Sequence, residues 1–79
     1  MPPAPPPDDR VLAARRAVGD RIRAARLHAN LTQENVALTA GISRHSLNRI
    51  EYGHGSPLLD TLIRIADAIG VPLADLVRE

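Results

Sequence analysis

Residues 32–52 read TQENVALTAGISRHSLNRIEY, and the spacing of their capping, small and apolar residues decides the fold. Thr32 is an N-cap type, because its hydroxyl can accept from first-turn amides, and Glu34 sits in that turn, where the helix dipole favours an acid. Val36, Ala37 and Ala40 fall along one side of a short helix that ends at Gly41, a residue able to take the positive φ of a tight turn. After Ile42, Ser43 is a second cap, and Leu47 and Ile50 share one face of a further helix running to about Tyr52. Two short helices that cross over a three- or four-residue turn need a small residue where they approach, a glycine in the turn and apolar residues inward. Ala37, Gly41 and the set Val36, Ala40, Ile42, Leu47 and Ile50 meet those needs in register. Residues 33–52 are therefore predicted to form a helix-turn-helix unit.

On the N-terminal side of this unit, apolar residues recur in steps of three and four at Val11, Ala14, Val18, Ile22, Ala25 and Ala29. Asp8 or Asp9 can cap this first helix, Arg16 and Arg23 fall on its opposite face, and Asn30 with Leu31 marks its end. On the other side, Gly53 and Gly55 interrupt the chain, and Ser56 and Pro57 are predicted to open a fourth helix. Its inward face is Leu59, Leu62, Ile65, Ala66 and Ile69, and Gly70 stops it. Pro72 then starts a last turn or two through Leu73, Leu76 and Val77. The opening MPPAPPP has no helix propensity and little to bury, so residues 1–8 are expected to be a disordered Pro-rich tail and residues 9–79 the folded domain. The expected fold class is all-α, a compact five-helix bundle without period-2 strands or internal repeats.

Composition sets the limits. With one Tyr, one Met and no Phe or Trp, the core must be aliphatic, which suits short helices better than a sandwich of strands. Cysteine is absent, and His28, His45 and His54 lack zinc-ligand spacing, so neither a metal site nor another cofactor is expected. No apolar run approaches the ~20 residues that cross a bilayer, and a cytoplasmic, nucleoid-associated protein is expected. The net charge of +1 hides an asymmetry. Residues 10–49 carry eight Arg against Asp20 and Glu34, a net of +6, while residues 50–79 carry two Arg against five acids, a net of −3. A basic half is what a polyanion-facing surface needs, and equally what a solvated helix face can show.

The stretches VGDRIRAAR, LTQENVALTAGIS, IEYG and SPLLDTLIRIADAIGVPLADLV, in this order and spacing, resemble the lambda-repressor-like (Cro and XRE-type) helix-turn-helix DNA-binding family over about residues 18–77. The resemblance implies that Arg26 and Glu51 form an ion pair tying the third helix to the first. It also implies that Gln33, beside the cap Thr32, contacts a phosphate, and that Tyr52 sits where relatives can reach phosphate. Ser43, at the start of the third helix, is assigned to the same phosphate-binding group.

Since fold does not fix function, the exposed residues of the third helix must carry the DNA reading. With Leu47 and Ile50 turned inward, Arg44, His45, Asn48 and Arg49 are free to point out. Arg can bond guanine O6 and N7 bidentately, Asn can do the same with adenine N6 and N7, and His can donate to a purine acceptor. These four are the expected base readers of a transcriptional regulator, with repression the expected direction. His45 has no nucleophile, second carboxylate or ligand partner beside it in sequence, so no enzymatic activity is expected.

The stripe of the first helix starts at Val11, about two turns before the family domain needs it. Val11, Leu12 and Ala14 therefore either pack against a second copy, forming a homodimer, or cap their own bundle. Two other readings stand beside sequence-specific DNA binding: an antitoxin-like protein-interaction module that also binds its own promoter, and a non-specific nucleoid binder, which low net charge disfavours. The fifth helix is barely complete at Glu79, and no small-molecule ligand is expected within this chain.

Overall fold

In the computed structural model, which describes residues 3–79, five helices follow one another: α1 (Asp9–His28), α2 (Gln33–Ala40), α3 (Arg44–Glu51), α4 (Leu59–Ile69) and α5 (Leu73–Val77). Met1 and Pro2 of the Pro-rich segment lie outside the described residues, and residues 3–8 precede the first helix without regular structure.

Capping chemistry places the ends of the first three helices. Asp8 Oδ1 accepts from the Val11 amide at 3.0 Å, which starts α1 at Asp9. α1 ends one turn short of Leu31, because Asn30 takes a left-handed φ of 58° and the chain turns there. Thr32 caps α2 in a reciprocal pair: its Oγ1 accepts from the Asn35 amide at 3.0 Å, and Asn35 Oδ1 accepts from the Thr32 amide at 3.2 Å. Gly41 closes α2 at φ 75°. Ser43 Oγ accepts from the Ser46 amide at 3.0 Å and so starts α3.

The fourth helix departs from expectation. It begins at Leu59 rather than at Ser56–Pro57, its N-cap is Leu58, and no side chain caps it. Ser56 and Pro57 belong to the preceding loop, and Leu59, expected inward, is 61% exposed. The loop is held by α1. Gly53 sits at φ 74° where an added Cβ would lie 2.9 Å from Arg16 Cα, and Arg15 Nε donates to the Gly55 carbonyl at 3.0 Å. These tertiary contacts set how far the loop runs before a helix can start, and they override the local preference of Ser-Pro for a helix opening.

The core consists of Ile22 from α1, Val36, Ala37 and Ala40 from α2, Leu47 and Ile50 from α3, Ile65, Ala66 and Ile69 from α4, and Leu76 from α5. Every helix contributes to it, and α3 is held on its inner side by its packing on α1 and α2. α1 packs on α3, α4 and α5, and α2 on α3 and α4. Two ends of the expected α1 stripe fall outside: Val11 is 44% exposed, and Ala29 follows the last helical residue and is exposed. No helix among the described residues is long and apolar enough to cross a membrane.

Candidate nucleic-acid interface

α3 is anchored by one buried ion pair. Arg26 of α1 donates through Nε to Glu51 Oε2 at 2.8 Å and through Nη2 to Oε1 at 2.9 Å, a two-pronged match of guanidinium to carboxylate. Arg26 Nη1 also donates to the Leu31 carbonyl at 2.9 Å, so the same side chain holds the link between α1 and α2. Both residues are buried. Just beside the pair, Gly19 brings α1 so close to the end of α3 that a Cβ there would stand 2.5 Å from the Ile50 carbonyl oxygen.

Buried Leu47, Ile50 and Glu51 define the inner face of α3. At 100° per residue, His45, Arg49 and Tyr52 then lie at the centre of the outer face, with Arg44 and Asn48 on the flank toward α2 and Ser46 on the opposite flank. Arg44 and His45 are exposed and make no hydrogen bond within the described residues. Arg49 is exposed too, but its Nη2 donates to the His54 carbonyl at 3.0 Å, bending it toward the loop. Asn48 is half-buried, and its Nδ2 donates to Gln33 Oε1 at 3.4 Å. Tyr52 is 59% exposed, with its ring 6.0 Å from the His54 ring.

Gln33, at the start of α2, is a bridge rather than a free side chain. Its Nε2 donates to Glu51 Oε1 at 3.2 Å while its Oε1 receives Asn48. One chain of bonds therefore runs from Arg26 through Glu51 and Gln33 to Asn48. The sequence names all four residues, and the resemblance implies the Arg26–Glu51 pair, but neither points to the bonds through Gln33, which stands 18 positions from Glu51 and 15 from Asn48. The signal available was the spacing of Asn48 and Glu51, three apart on one helix and hence on one face.

The hydroxyls of Thr32 and Ser43 are engaged locally. Thr32 Oγ1 donates to Asn35 Oδ1 at 2.7 Å, and Ser43 Oγ donates to Ser46 Oγ at 2.9 Å. With Asn35 and Ser46 amides taken by these caps, the backbone amides of Gln33 and Glu34 in α2, and of Arg44 and His45 in α3, remain without an intrahelical partner. Such paired helix-start amides suit phosphate oxygens.

The basic half is less available than its charge count implies. Of its eight Arg, Arg26 is buried with Glu51, Arg10 pairs with Glu79, and Arg15 serves the loop carbonyl. Arg21 is half-buried, and Arg16, Arg23, Arg44 and Arg49 are exposed, all five without a carboxylate partner among the described residues.

The helix-turn-helix family HTH_3 matches residues 22–76, a span holding all of α2, α3 and α4. The chain belongs to this helix-turn-helix family. An immunity repressor protein of Bacillus phage phi105 is 40% identical over 62 residues, covering 78% of this chain and 43% of that protein. An HTH-type transcriptional regulator, y4dJ, of Sinorhizobium fredii is 36% identical over 63 residues, covering 80% of this chain and 82% of that protein. Against the phage repressors it matches, this helix-turn-helix chain spans about half of their length. Among solved structures, the restriction-modification controller protein C.AhdI of Aeromonas hydrophila superposes with a TM-score of 0.79 at 26% identity, covering 81% of this chain and 97% of that one.

Proposed function

We propose that this helix-turn-helix chain is a cytoplasmic transcriptional regulator, a repressor, that binds specific sequences in double-stranded DNA with α3 in the major groove. The observation that carries the reading is the state of α3: its inner face is locked by core packing and the Arg26–Glu51 pair, while Arg44, His45 and Arg49 stand on its exposed side. A rigid helix with donor-rich side chains at its outer edge is what direct readout of base edges requires. Relatives named as repressors and transcriptional regulators support the same role.

Arg44, His45, Asn48 and Arg49 read bases. Arg49 does so by exchanging its bond to the His54 carbonyl for one to a base or phosphate. Phosphates are held by Gln33 Nε2, which keeps a second hydrogen, and by the free amides at the starts of α2 and α3, with Tyr52 at the far end of α3. Thr32 and Ser43 act through these amides, by fixing both helix starts, rather than through hydroxyls already engaged. A second copy completes the regulator. Its docking face is the extension of α1, Val11, Leu12 and Ala14, where Val11 is 44% exposed and Val11 and Ala14 border an apolar groove.

Replacing Arg44 with alanine tests the assignment. Discrimination is expected to fall by ~1–3 kcal/mol at one base pair, with smaller effects elsewhere. Binding titrations on the preferred duplex and on its single-base variants measure this. An equal loss on preferred and random DNA would make Arg44 a phosphate contact and contradict base reading.

A further inference from the structure

α1 begins at Asp9, well before residue 22, where the match to the helix-turn-helix family starts. Two arginines of this leading part act on the loop that follows α3. Arg15 Nε holds the Gly55 carbonyl at 3.0 Å. Arg16 lies directly against Gly53, the residue after Tyr52: a Cβ on Gly53 would stand 2.8 Å from Arg16 Cγ and 2.9 Å from its Cα. Gly53 therefore leaves room for the Arg16 stem, and Arg15 fixes the loop beside it. Arg16 is exposed, and among the described residues its guanidinium has no ion pair, even with Asp20 one turn further along α1.

We infer that Arg16 is a further contact to the DNA backbone, holding a phosphate at the C-terminal end of α3, away from those met at the starts of α2 and α3. This rests on the proposed docking of α3 in the major groove. The eight residues of α3 make a helix about 12 Å long, and the groove is about 12 Å wide, so both ends of a docked α3 come within a side chain's reach of a sugar-phosphate backbone. The two ends differ electrostatically. Free amides and the positive end of the helix dipole welcome phosphate at the start of α3, whereas the partial negative charge at its last turn repels it. A phosphate contact at that far end needs a cation supplied by another element. Arg49 lies nearby, but its Nη2 is engaged with the His54 carbonyl. Arg16, rooted against Gly53 and unpaired, meets the need from α1, beside the exposed Tyr52.

Three variants separate a phosphate contact from a structural role. Arg16→Met keeps an unbranched stem over Gly53 and removes the charge, Arg16→Lys keeps the charge, and Arg78→Met removes an equal charge just after α5, which packs on α1 and α4. Affinities of the unaltered chain and of each variant are measured on the preferred duplex and on a random duplex over a series of salt concentrations, with Tm measured alongside. For Arg16→Met the expected result is a loss of about fivefold at ~150 mM salt, equal on both duplexes, with a salt slope shallower by about 0.9. Arg16→Lys and Arg78→Met are expected to keep the slope of the unaltered chain. An unchanged slope for Arg16→Met, with or without a lower Tm, would overturn the inference and leave the docking of α3 standing. So would an equal fall in slope for Arg78→Met, or a loss confined to the preferred duplex. Failure of the unaltered chain to bind any duplex would overturn the docking itself, and the inference with it.

Discussion

Replacing Glu51 with alanine is expected to cost about 3–5 kcal/mol of stability, because it leaves the Arg26 guanidinium buried without its carboxylate. The side chains of the pair are only 9% and 1% exposed, so water cannot take over the lost bonds without opening the junction between α1 and α3. For a domain of this size about 1 kcal/mol corresponds to roughly 4–8 °C in Tm, so the midpoint is expected to drop by at least ~12 °C. The cost comes from stranding a charge rather than from losing attraction. Replacing both partners, Arg26→Met with Glu51→Leu, is therefore expected to recover most of the loss. Thermal and urea unfolding of the three variants decide the matter, and a single-variant loss below about 1 kcal/mol would show that Arg26 finds water or another partner.

The second large effect is expected at Gly19. In an exposed helix interior, Gly→Ala gains about 1 kcal/mol through helix propensity. Here the added Cβ would stand 2.5 Å from the Ile50 carbonyl oxygen and 2.6 Å from that of Glu51, and both are backbone atoms at the end of α3. Neither can rotate away, so α1 and α3 must separate. Overpacking of this kind costs about 1–3 kcal/mol, and the separation also pulls on the adjacent Arg26–Glu51 pair. A net destabilisation of about 2 kcal/mol is expected for Gly19→Ala by urea unfolding. Increased stability would mean that the close approach of α1 to α3 is not needed.

Much of this architecture is readable from one-dimensional spacing because it rests on local chemistry. Thr32, Gly41 and Ser43 form the turn through bonds within four residues, so cap types and a glycine suffice to place α2 and α3. The aliphatic periodicity likewise marks ten residues of the core. The start of α4 escapes such reading because distant groups decide it: Arg15 holds the Gly55 carbonyl and Arg16 packs over Gly53, so Ser56 and Pro57 remain in the loop and Leu58, with no capping side chain, stands at the helix start. Charge counting fails for a related reason. A sum over residues 10–49 cannot tell an Arg that faces water from Arg26, which is buried, or Arg10, which meets Glu79 at the other end of the chain.

The candidate interface divides in the same way. Outward positions such as Arg44 and His45 follow from the period of a helix whose inner face is apolar. The bridge through Gln33 does not, because it depends on α2 and α3 crossing at a distance that only the packing of Val36, Ala37 and Leu47 sets.

The most direct measurement is selection of bound sequences by this chain from a random duplex pool at ~150 mM salt, where purely electrostatic binding is already weak. Enrichment of a defined motif is expected, as two inverted half-sites with centres ~34 Å apart if two copies dock side by side. A pool that emerges without sequence preference, at any ionic strength that permits binding, would contradict sequence-specific recognition by α3.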